Sequence, residues 1–397
     1  MRSIHLGWMA FIVACAGPAP SDNEPVATSE SALSTTYNNI SYHGGPVLSD
    51  PTVYVIWYGT WNRPTVMSTI YDFIGHVGGT PYWAIHSTYS GASGASVSAG
   101  IALASQSMRD PYSLGHTLHD ADLAAIVNHA ITSGGLPCDP NGIYLVLGDM
   151  DTTLETNGYI NGAFHSYTSP IPGAPPVAAA WVWYGPGATW PGPNGDMGLD
   201  AVVAEISHEL SEATLSPFGS AWWDDRIAPP ENEGADKCAW GTGPDVWSSG
   251  SGQANVHVGS HDFLVQTQWV NEHGGYCGIA VEPDRAALTV AFMGSSSNSV
   301  ATSDGASCDA SSSFCTYSYR SGTQVTLTAS ATGTTWTGCD SASGSTCTVS
   351  VGADRTVTVG SQCTLDRTCQ NECLIDCAND GNTKARCTAV CRAMCCQ

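Results

Sequence analysis

The segment Ala204–Pro217, AEISHELSEATLSP, holds the residue types in this chain that are best suited to chemistry. His208 and Glu212 are spaced i and i+4, so a helix would direct both side chains toward one ion. An imidazole nitrogen and a carboxylate oxygen both ligate zinc. In zinc peptidases with the motif H-E-x-x-H, the glutamate after the first histidine is the base for the attacking water. The variant H-E-x-x-E predicts zinc ligation by His208 and Glu212, with Glu209 as the base.

More candidate residues lie on either side of this segment. Downstream, Glu231, Glu233 and Asp236 could supply a further ligand, and Glu233 or Asp236 would complete the zinc site. Upstream, His165 in GAFHSY is the candidate for stabilising an oxyanion or binding the metal. The alternative is a solvent-exposed acidic helix face, followed by a turn whose carboxylates cap a helix.

A helix predicted over residues 198–214 must position these side chains. Pro217 limits its continuation. Its polar residues would share the face opposite an apolar stripe at helical spacing. The stripe consists of Leu199, Val202, Val203, Ile206, Leu210 and Ala213.

The surrounding sequence alternates strand-like and helix-like segments. Helical spacing appears around 64–77 and 119–133, and apolar runs of strand length occupy 52–59, 143–148 and 178–185. This order predicts an α/β fold in which helices cover a mixed sheet. Together with the zinc motif it predicts a zincin-like domain. The Gly/Ser-rich segment 241–261 is predicted to be a long loop.

Changes in composition divide the chain into five segments. The N-terminus indicates a signal peptide, in which Ile12–Cys15 resembles a lipobox that would lipidate Cys15; simple cleavage at an A-x-A site is the alternative. The predicted segments are the signal peptide (1–16), a flexible linker (17–36), the α/β domain (37–283), a small all-β module (284–361) and a Cys-rich helical hairpin (362–397).

Cysteine spacing predicts several disulfides. Cys308 and Cys315 could close one local loop, and Cys339 and Cys347 another. In the tail, cysteines four residues apart share a helical face. An antiparallel hairpin would then pair Cys369–Cys395, Cys373–Cys391 and Cys377–Cys387.

The charge balance restricts the partners. The net charge is −23 with only 12 Lys and Arg residues, which disfavours nucleic acid and anionic membrane surfaces as partners. Contact with a membrane is expected only through an N-terminal lipid. Disulfides and a signal peptide together predict a secreted protein or an outer-surface lipoprotein of a bacterium.

A set of motifs occurs in a fixed order between residues 40 and 283. The motifs are YHGGPVLSDPTVYVIWYGTW, DPYSLG, LPCDPNGIYLVLGDMDTTL, GAFHSY, GPNGDMGLDAVVAEISHELSEATLSP and EGADKC. The ordered set is similar to the phosphate-induced protein 1, or Exordium-like, family of plants and its bacterial extracellular relatives.

The resemblance implies an extracellular domain and a set of polar landmarks. It also implies that Cys138 is unpaired, because Gly162 stands where relatives often carry a cysteine. Residues 286–361 resemble internalin-type B repeats. The landmarks are His43, His165, His208, Glu209, Glu233 and Asp236.

Two functions follow from these observations. The first is an extracytoplasmic zinc-dependent hydrolase, most simply a peptidase, acting on a peptide, a protein or a cell-surface polysaccharide. The second is a non-catalytic binding protein that recognises polysaccharide or a partner protein through aromatic side chains. The candidate aromatic residues are Trp181, Trp183, Trp190, Trp222 and Trp223.

Overall fold

The chain divides into two compact units. The first contains residues 40–272 and 276–283, and the second contains 273–275 and the chain from 284 onward. The structure is a computed structural model that describes residues 40–156, 159–160, 162–185, 190–224, 227, 232–293, 299–331 and 334–360, together with 371, 373, 374, 387 and 391. The predicted signal peptide and linker, Glu231 and most of the predicted hairpin lie outside these residues.

The first unit contains three α-helices, two short 3₁₀ helices (Trp83–Thr88 and Asp236–Cys238) and sixteen strands among its described residues. In chain order the strands and α-helices are β1 (Ser41–Tyr42), β2 (Thr52–Tyr58), α1 (Pro64–His76), β3 (Ala102–Asp110), β4 (Thr117–His119), α2 (Asp120–Thr132), β5 (Gly142–Gly148), β6 (Thr153–Thr156), β7 (Tyr159–Ile160), β8 (Ala163–Thr168), β9 (Val177–Trp183), α3 (Met197–Leu215), β10 (Trp222–Trp223), β11 (Trp247–Ser249), β12 (Gly252–Ala254), β13 (Val256–Val258), β14 (His261–Phe263), β15 (Gln268–Val270) and β16 (Tyr276–Gly278).

A five-stranded mixed sheet forms the centre of this unit, in the order β3-β2-β5-β9-β8. Four strands run parallel, and the edge strand β8 runs antiparallel to β9. Parallel strands buried on both faces have nearly continuous apolar sequences, which is why β2, β5 and β9 were recognisable from sequence. The α/β class, the three helices and these three strands are therefore confirmed.

The two faces of the sheet are covered by different helices. Because successive side chains of a strand point to opposite faces, Val53, Val55 and Trp57 of β2 share a core with α1 and α3. The intervening Tyr54 and Ile56 pack with α2 instead. This places α3, the predicted site helix, against one face of the central strands.

The prediction of a long loop over 241–261 is wrong. The strands β11 and β12 pair antiparallel, as do β13 and β14. Each pair is joined by two residues that include a glycine with positive φ, Gly250 at 51° and Gly259 at 60°. The Gly and Ser residues are therefore hairpin turn signals, since tight hairpins favour glycine at positive φ.

Between residues 284 and 360, the second unit contains nine strands and one 3₁₀ turn among its described residues, and the described residues 371, 373, 374, 387 and 391 are helical. The strands are β17 (Arg285–Met293), β18 (Ser299–Thr302), β19 (Ser307–Asp309), β20 (Phe314–Arg320), β21 (Thr323–Ala329), β22 (Thr335–Thr337), β23 (Ser341–Ser343), β24 (Thr346–Val351) and β25 (Arg355–Gly360). They form two sheets, in the orders β20-β17-β25-β22 and β19-β18-β21-β24-β23, which contribute to one apolar core.

Several predicted disulfides are present. Cys308–Cys315 and Cys339–Cys347 close the two local loops. Cys373–Cys391, one of the three pairings predicted for the antiparallel hairpin, is also present. The two other tail pairings involve residues outside the described set and stay predictions. Cys138 is a free thiol, as the resemblance implied. Disulfides of this kind persist outside the cytoplasm, so the protein is extracytoplasmic.

No helix within the described ranges is long and apolar enough to cross a membrane.

Asp72 joins α1 to the turn between β13 and β14. Its carboxylate accepts hydrogen bonds from the backbone N–H and the hydroxyl of Ser260 and contacts His261 Nδ1 at 2.6 Å. Burial alone would raise the pKa of Asp72, but these hydrogen bonds outweigh it and lower that pKa from its usual 3.8 to about 2. A Cβ at Gly259 would lie 2.5 Å from Asp72 Oδ1, so only glycine permits this approach.

We expect Asp72→Asn to lower the free energy of unfolding by about 1–2 kcal/mol at pH 7. A carboxyl group whose pKa is lowered by folding contributes stability above its unfolded pKa. That contribution is lost as the pH falls through its folded pKa. The difference from wild type in urea denaturation should therefore shrink between pH 4 and pH 2. Asp245→Asn, at an exposed position, is the control. A deficit that is constant across this pH range would contradict the prediction.

Candidate metal centre

The sheet register directs His165 toward α3. In the antiparallel pair β8–β9, His165 lies directly opposite Ala180, and Phe164 lies opposite Trp181. Directly opposed residues share a face, and Ala180 belongs to the core that contains α3, whereas Phe164 and Trp181 belong to the other core. The small side chain of Ala180 allows the helix to approach. His165 is therefore buried between the edge strand and α3, with 3% of its surface exposed.

Helix α3 is buried on its polar face as well as on its apolar stripe. The exposed fractions of His208, Glu209 and Glu212 are 3%, 0% and 1%. Asp196 caps the helix by accepting hydrogen bonds from the N–H groups of Gly198 and Leu199. The alternative of a solvent-exposed acidic face is wrong, because β8 and the segment around Glu233 cover it.

That covering segment is held in place by several interactions. Cys238 forms a disulfide with Cys277, and the buried Lys237 ammonium lies 2.6 Å from Asp224 Oδ2. Within the segment, Asp236 Oδ2 accepts a hydrogen bond from the N–H of Glu233 at 3.2 Å. These contacts bring two more carboxylates against the polar face of α3.

The first group of possible ligands consists of His208, Glu212 and Asp236. His208 Nε2 lies 3.2 Å from Glu212 Oε1 and 3.2 Å from Asp236 Oδ1. The backbone N–H of Asp236 also donates a hydrogen bond to Glu212 Oε1 at 3.2 Å, which fixes this carboxylate.

The second group consists of His165, Glu212 and Glu233. His165 Nδ1 lies 3.4 Å from Glu212 Oε2, and His165 Nε2 lies 3.5 Å from Glu233 Oε2. Glu209 Oε2 is 3.6 Å from His165 Nδ1. The structure thus brings all six predicted site residues together. Glu233 and Asp236 contact different histidines: Glu233 lies beside His165, and Asp236 lies beside His208.

Both histidines carry raised pKa values in the metal-free cluster. Burial alone would lower the pKa of His208, but the charge of Glu212 and the hydrogen-bonding contacts with Asp236 and Glu212 outweigh burial, and the pKa lies well above its usual 6.5. For His165, the charge of Glu233 and contacts with Glu209 and Glu212 likewise outweigh burial. Protons on the imidazoles partly balance the buried carboxylates.

The geometry of these groups fits a divalent metal ion. Zinc bonds to nitrogen and oxygen of about 2.0–2.1 Å in a tetrahedron place neighbouring ligand atoms roughly 3.3 Å apart. The 3.2 Å contacts of His208 and the 3.4 Å contact between His165 and Glu212 match that spacing. Neither oxygen of Glu209 has a hydrogen-bond partner among the described residues, although the side chain is fully buried. Buried carboxylates normally have such partners, so this one is available for a ligand.

A narrow cleft of about 10 Å³, roughly the space of one water molecule, opens onto this cluster. Its lining includes His208, Glu209, Glu205, Trp190 and Trp240. The two indole rings lie 5.6 Å apart, and Trp240 is 48% exposed. His208 and Glu209 therefore share the lining of this cleft with two indole rings that contact each other.

Glu205 is a cleft residue to which the sequence assigned no role. Burial, followed by the negative charge of Glu209, raises the pKa of Glu205 from its usual 4.5 to about 8. Its helical spacing placed it on the polar face, but its high pKa depends on neighbours that only the fold supplies. Trp240 and Gln266 also line the cleft. No sequence motif indicated a functional role for either residue.

Other sequence candidates lie away from the cluster. His43 stacks on Trp223 with ring centroids 3.6 Å apart and hydrogen-bonds Ser41, so it supports the β1–β10 pair. Of the tryptophans proposed as a binding surface, Trp181 and Trp222 are buried in cores. Only Trp190 of that set lines the cleft.

The fold and site define a mixed α/β protein with a buried cluster of two histidines and four carboxylates. The sequence profile described as the phosphate-induced protein 1 conserved region matches residues 40–190. This range includes His165 but ends before α3.

Two relatives from Arabidopsis thaliana extend this comparison. Protein EXORDIUM-like 5 is 31% identical over 272 residues, covering 60% of this chain and 72% of the relative. Protein EXORDIUM-like 3 is 30% identical over 273 residues, covering 58% of this chain and 80% of the relative. The chain therefore belongs to the phosphate-induced protein 1, or Exordium-like, family. No solved structure matches it.

Proposed function

We propose that this protein is an extracytoplasmic zinc-dependent hydrolase with a zincin-like catalytic domain and that it cleaves peptide bonds. The observation that carries the proposal is that His208 Nε2 lies 3.2 Å from both Glu212 and Asp236. Beside it is the carboxylate of Glu209, whose oxygens have no hydrogen-bond partner among the described residues. The mixed sheet and the buried helix that carries these residues support the zincin-like assignment.

Each residue has a distinct role in this proposal. His208, Glu212 and Asp236 would hold the ion, which when bound would polarise the scissile carbonyl and lower the pKa of water. Glu209 lines the cleft next to His208 and would accept the proton of the attacking water. Glu205, whose pKa burial and the charge of Glu209 raise to about 8, lines the same cleft and would donate a proton to the leaving amine.

The edge strand β8 supports a peptide as the substrate. Among the described residues, β8 ends the five-stranded sheet, and its first residue, Ala163, lines the cleft. An edge strand offers backbone N–H and C=O groups to which an extended peptide can pair. Such pairing would lay a scissile bond across the cleft beside His208.

Trp190 and Trp240 favour a second candidate function, the binding of polysaccharide or a partner protein without catalysis. Aromatic faces suit sugar rings, and these two line the cleft mouth. In that case the polar cluster would serve the stability of the fold rather than catalysis.

Elemental analysis and a peptidase assay together test the proposal. Purified wild-type protein should contain zinc and cleave a library of quenched fluorescent peptides. A chelator should remove both the metal and the cleavage, and added zinc should restore both. Protein that folds without metal and binds oligosaccharide without cleaving any peptide would support the second function instead.

We also infer that the protein is secreted by, or lipid-anchored on, a bacterium. The support is the lipobox-like sequence that ends at Cys15, together with the disulfides.

A further inference from the structure

Glu212 belongs to both groups of possible ligands. Its Oε1 lies 3.2 Å from His208 Nε2, and its Oε2 lies 3.4 Å from His165 Nδ1. The two oxygens of one carboxylate therefore point to different histidines. Each histidine has a further carboxylate of its own, Asp236 for His208 and Glu233 for His165.

We propose that the cluster binds two divalent metal ions, with Glu212 as the bridging carboxylate. One ion has Glu212, His208 and Asp236 as its protein ligands. The other has Glu212, His165 and Glu233. This inference rests on the proposed function, which requires only the ion at His208. In hydrolases with two metals, the ions lie roughly 3.5–4 Å apart and can stabilise both the attacking and the leaving group.

The charges of the cluster fit two dications better than one. An imidazole must be neutral to ligate a metal. With both histidines neutral, the carboxylates of Glu209, Glu212, Glu233 and Asp236 carry four negative charges in a buried volume. Two divalent ions balance that charge fully, whereas one ion balances it only in part, and uncompensated buried charge is costly.

The position of His165 also points to a ligand rather than to a distant electrostatic role. One ligand atom from each of His165, Glu212 and Glu233 lies within 4.8 Å of the other two. Glu212 faces Nδ1 of the ring and Glu233 faces Nε2, so one of these carboxylates must turn toward the nitrogen that holds the ion. The register of β8 with β9 sets the face of the sheet from which His165 projects. Glu209, whose oxygens lack hydrogen-bond partners among the described residues, lies 3.6 Å from the same imidazole.

Metal stoichiometry is the direct test. The full chain is stripped with a chelator, titrated with Zn²⁺ and analysed for bound metal after gel filtration. We expect two equivalents in the wild type and one in His165→Ala, which keeps the group at His208. Loading with Mn²⁺ should give an exchange-coupled electron paramagnetic resonance spectrum in the wild type and an uncoupled signal in His165→Ala.

Glu205→Gln is the matched control, because Glu205 lies on α3 in the same cleft but belongs to neither group. It should retain two equivalents and the coupled spectrum. One equivalent and an uncoupled spectrum in the wild type would overturn the two-metal inference and leave the proposed hydrolase intact. No bound metal in the wild type would overturn both. These wild-type outcomes decide the question even if a variant fails to fold.

Discussion

We expect Glu209→Gln to reduce peptide hydrolysis by about 10²–10⁴-fold, the usual contribution of a general base. Glutamine is nearly isosteric with glutamate, so the α3 packing and the metal contacts of His208 should persist. A neutral amide cannot accept the proton from water at this position. The melting temperature should stay at the wild-type value or rise, since the substitution removes one buried negative charge.

The measurement is kcat/KM on a fluorescent peptide, with zinc content and melting temperature determined for the same preparations. Glu155→Gln, at an exposed position in the same unit, is the control and should change none of the three. A Glu209→Gln protein that binds zinc and keeps full activity would show that Glu209 is not the base.

Replacing His208 with alanine should have the second large effect. A methyl group cannot ligate zinc, so the variant should lose at least one equivalent of metal. It also leaves Glu212 and Asp236 buried without the imidazole that lies 3.2 Å from each. Removing one partner from a buried ion pair costs about 3–5 kcal/mol, which corresponds to roughly 10 °C in melting temperature for a unit of this size.

His116→Ala provides the comparison. His116 lies 3.6 Å from Asp151, but both side chains are more than half exposed, so its loss should cost less than about 1 kcal/mol. Calorimetry in chelator and in excess zinc separates the loss of the ion pair from the loss of the metal. If His208→Ala bound as much zinc as wild type and melted at the same temperature, His208 would be neither a ligand nor a buried partner.

Local sequence patterns were sufficient for the main elements of the first unit. The predicted helices at 64–77, 119–133 and 198–214 correspond to Pro64–His76, Asp120–Thr132 and Met197–Leu215. These helices have regular apolar spacing, and the central strands are apolar on both faces. Both patterns are visible within a short stretch of sequence, so they indicate the type of element without knowledge of the fold. The hairpins between 247 and 263 were missed because their strands are only three residues long.

The pairing of ligands could not be predicted in the same way. Glu233 and Asp236 are three residues apart and looked like alternatives for one position. The turn that contains them instead directs Glu233 to His165 and Asp236 to His208. That division depends on the position of the segment around Glu233, which the Cys238–Cys277 disulfide ties to a residue 39 positions further along the chain.

The sequence by itself determined the family, the α/β class, the central helices and strands, and the residues capable of chemistry. These properties depend on residue type and on spacing within one element, so they are readable along the chain. Only the tertiary structure decided that the polar face of α3 is buried. It also decided that His165 points toward this face through its register with Ala180, and that Glu212 lies between two histidines. The physical reason is that burial and ligand geometry depend on contacts between segments separated by tens of residues, and local periodicity carries no information about those contacts.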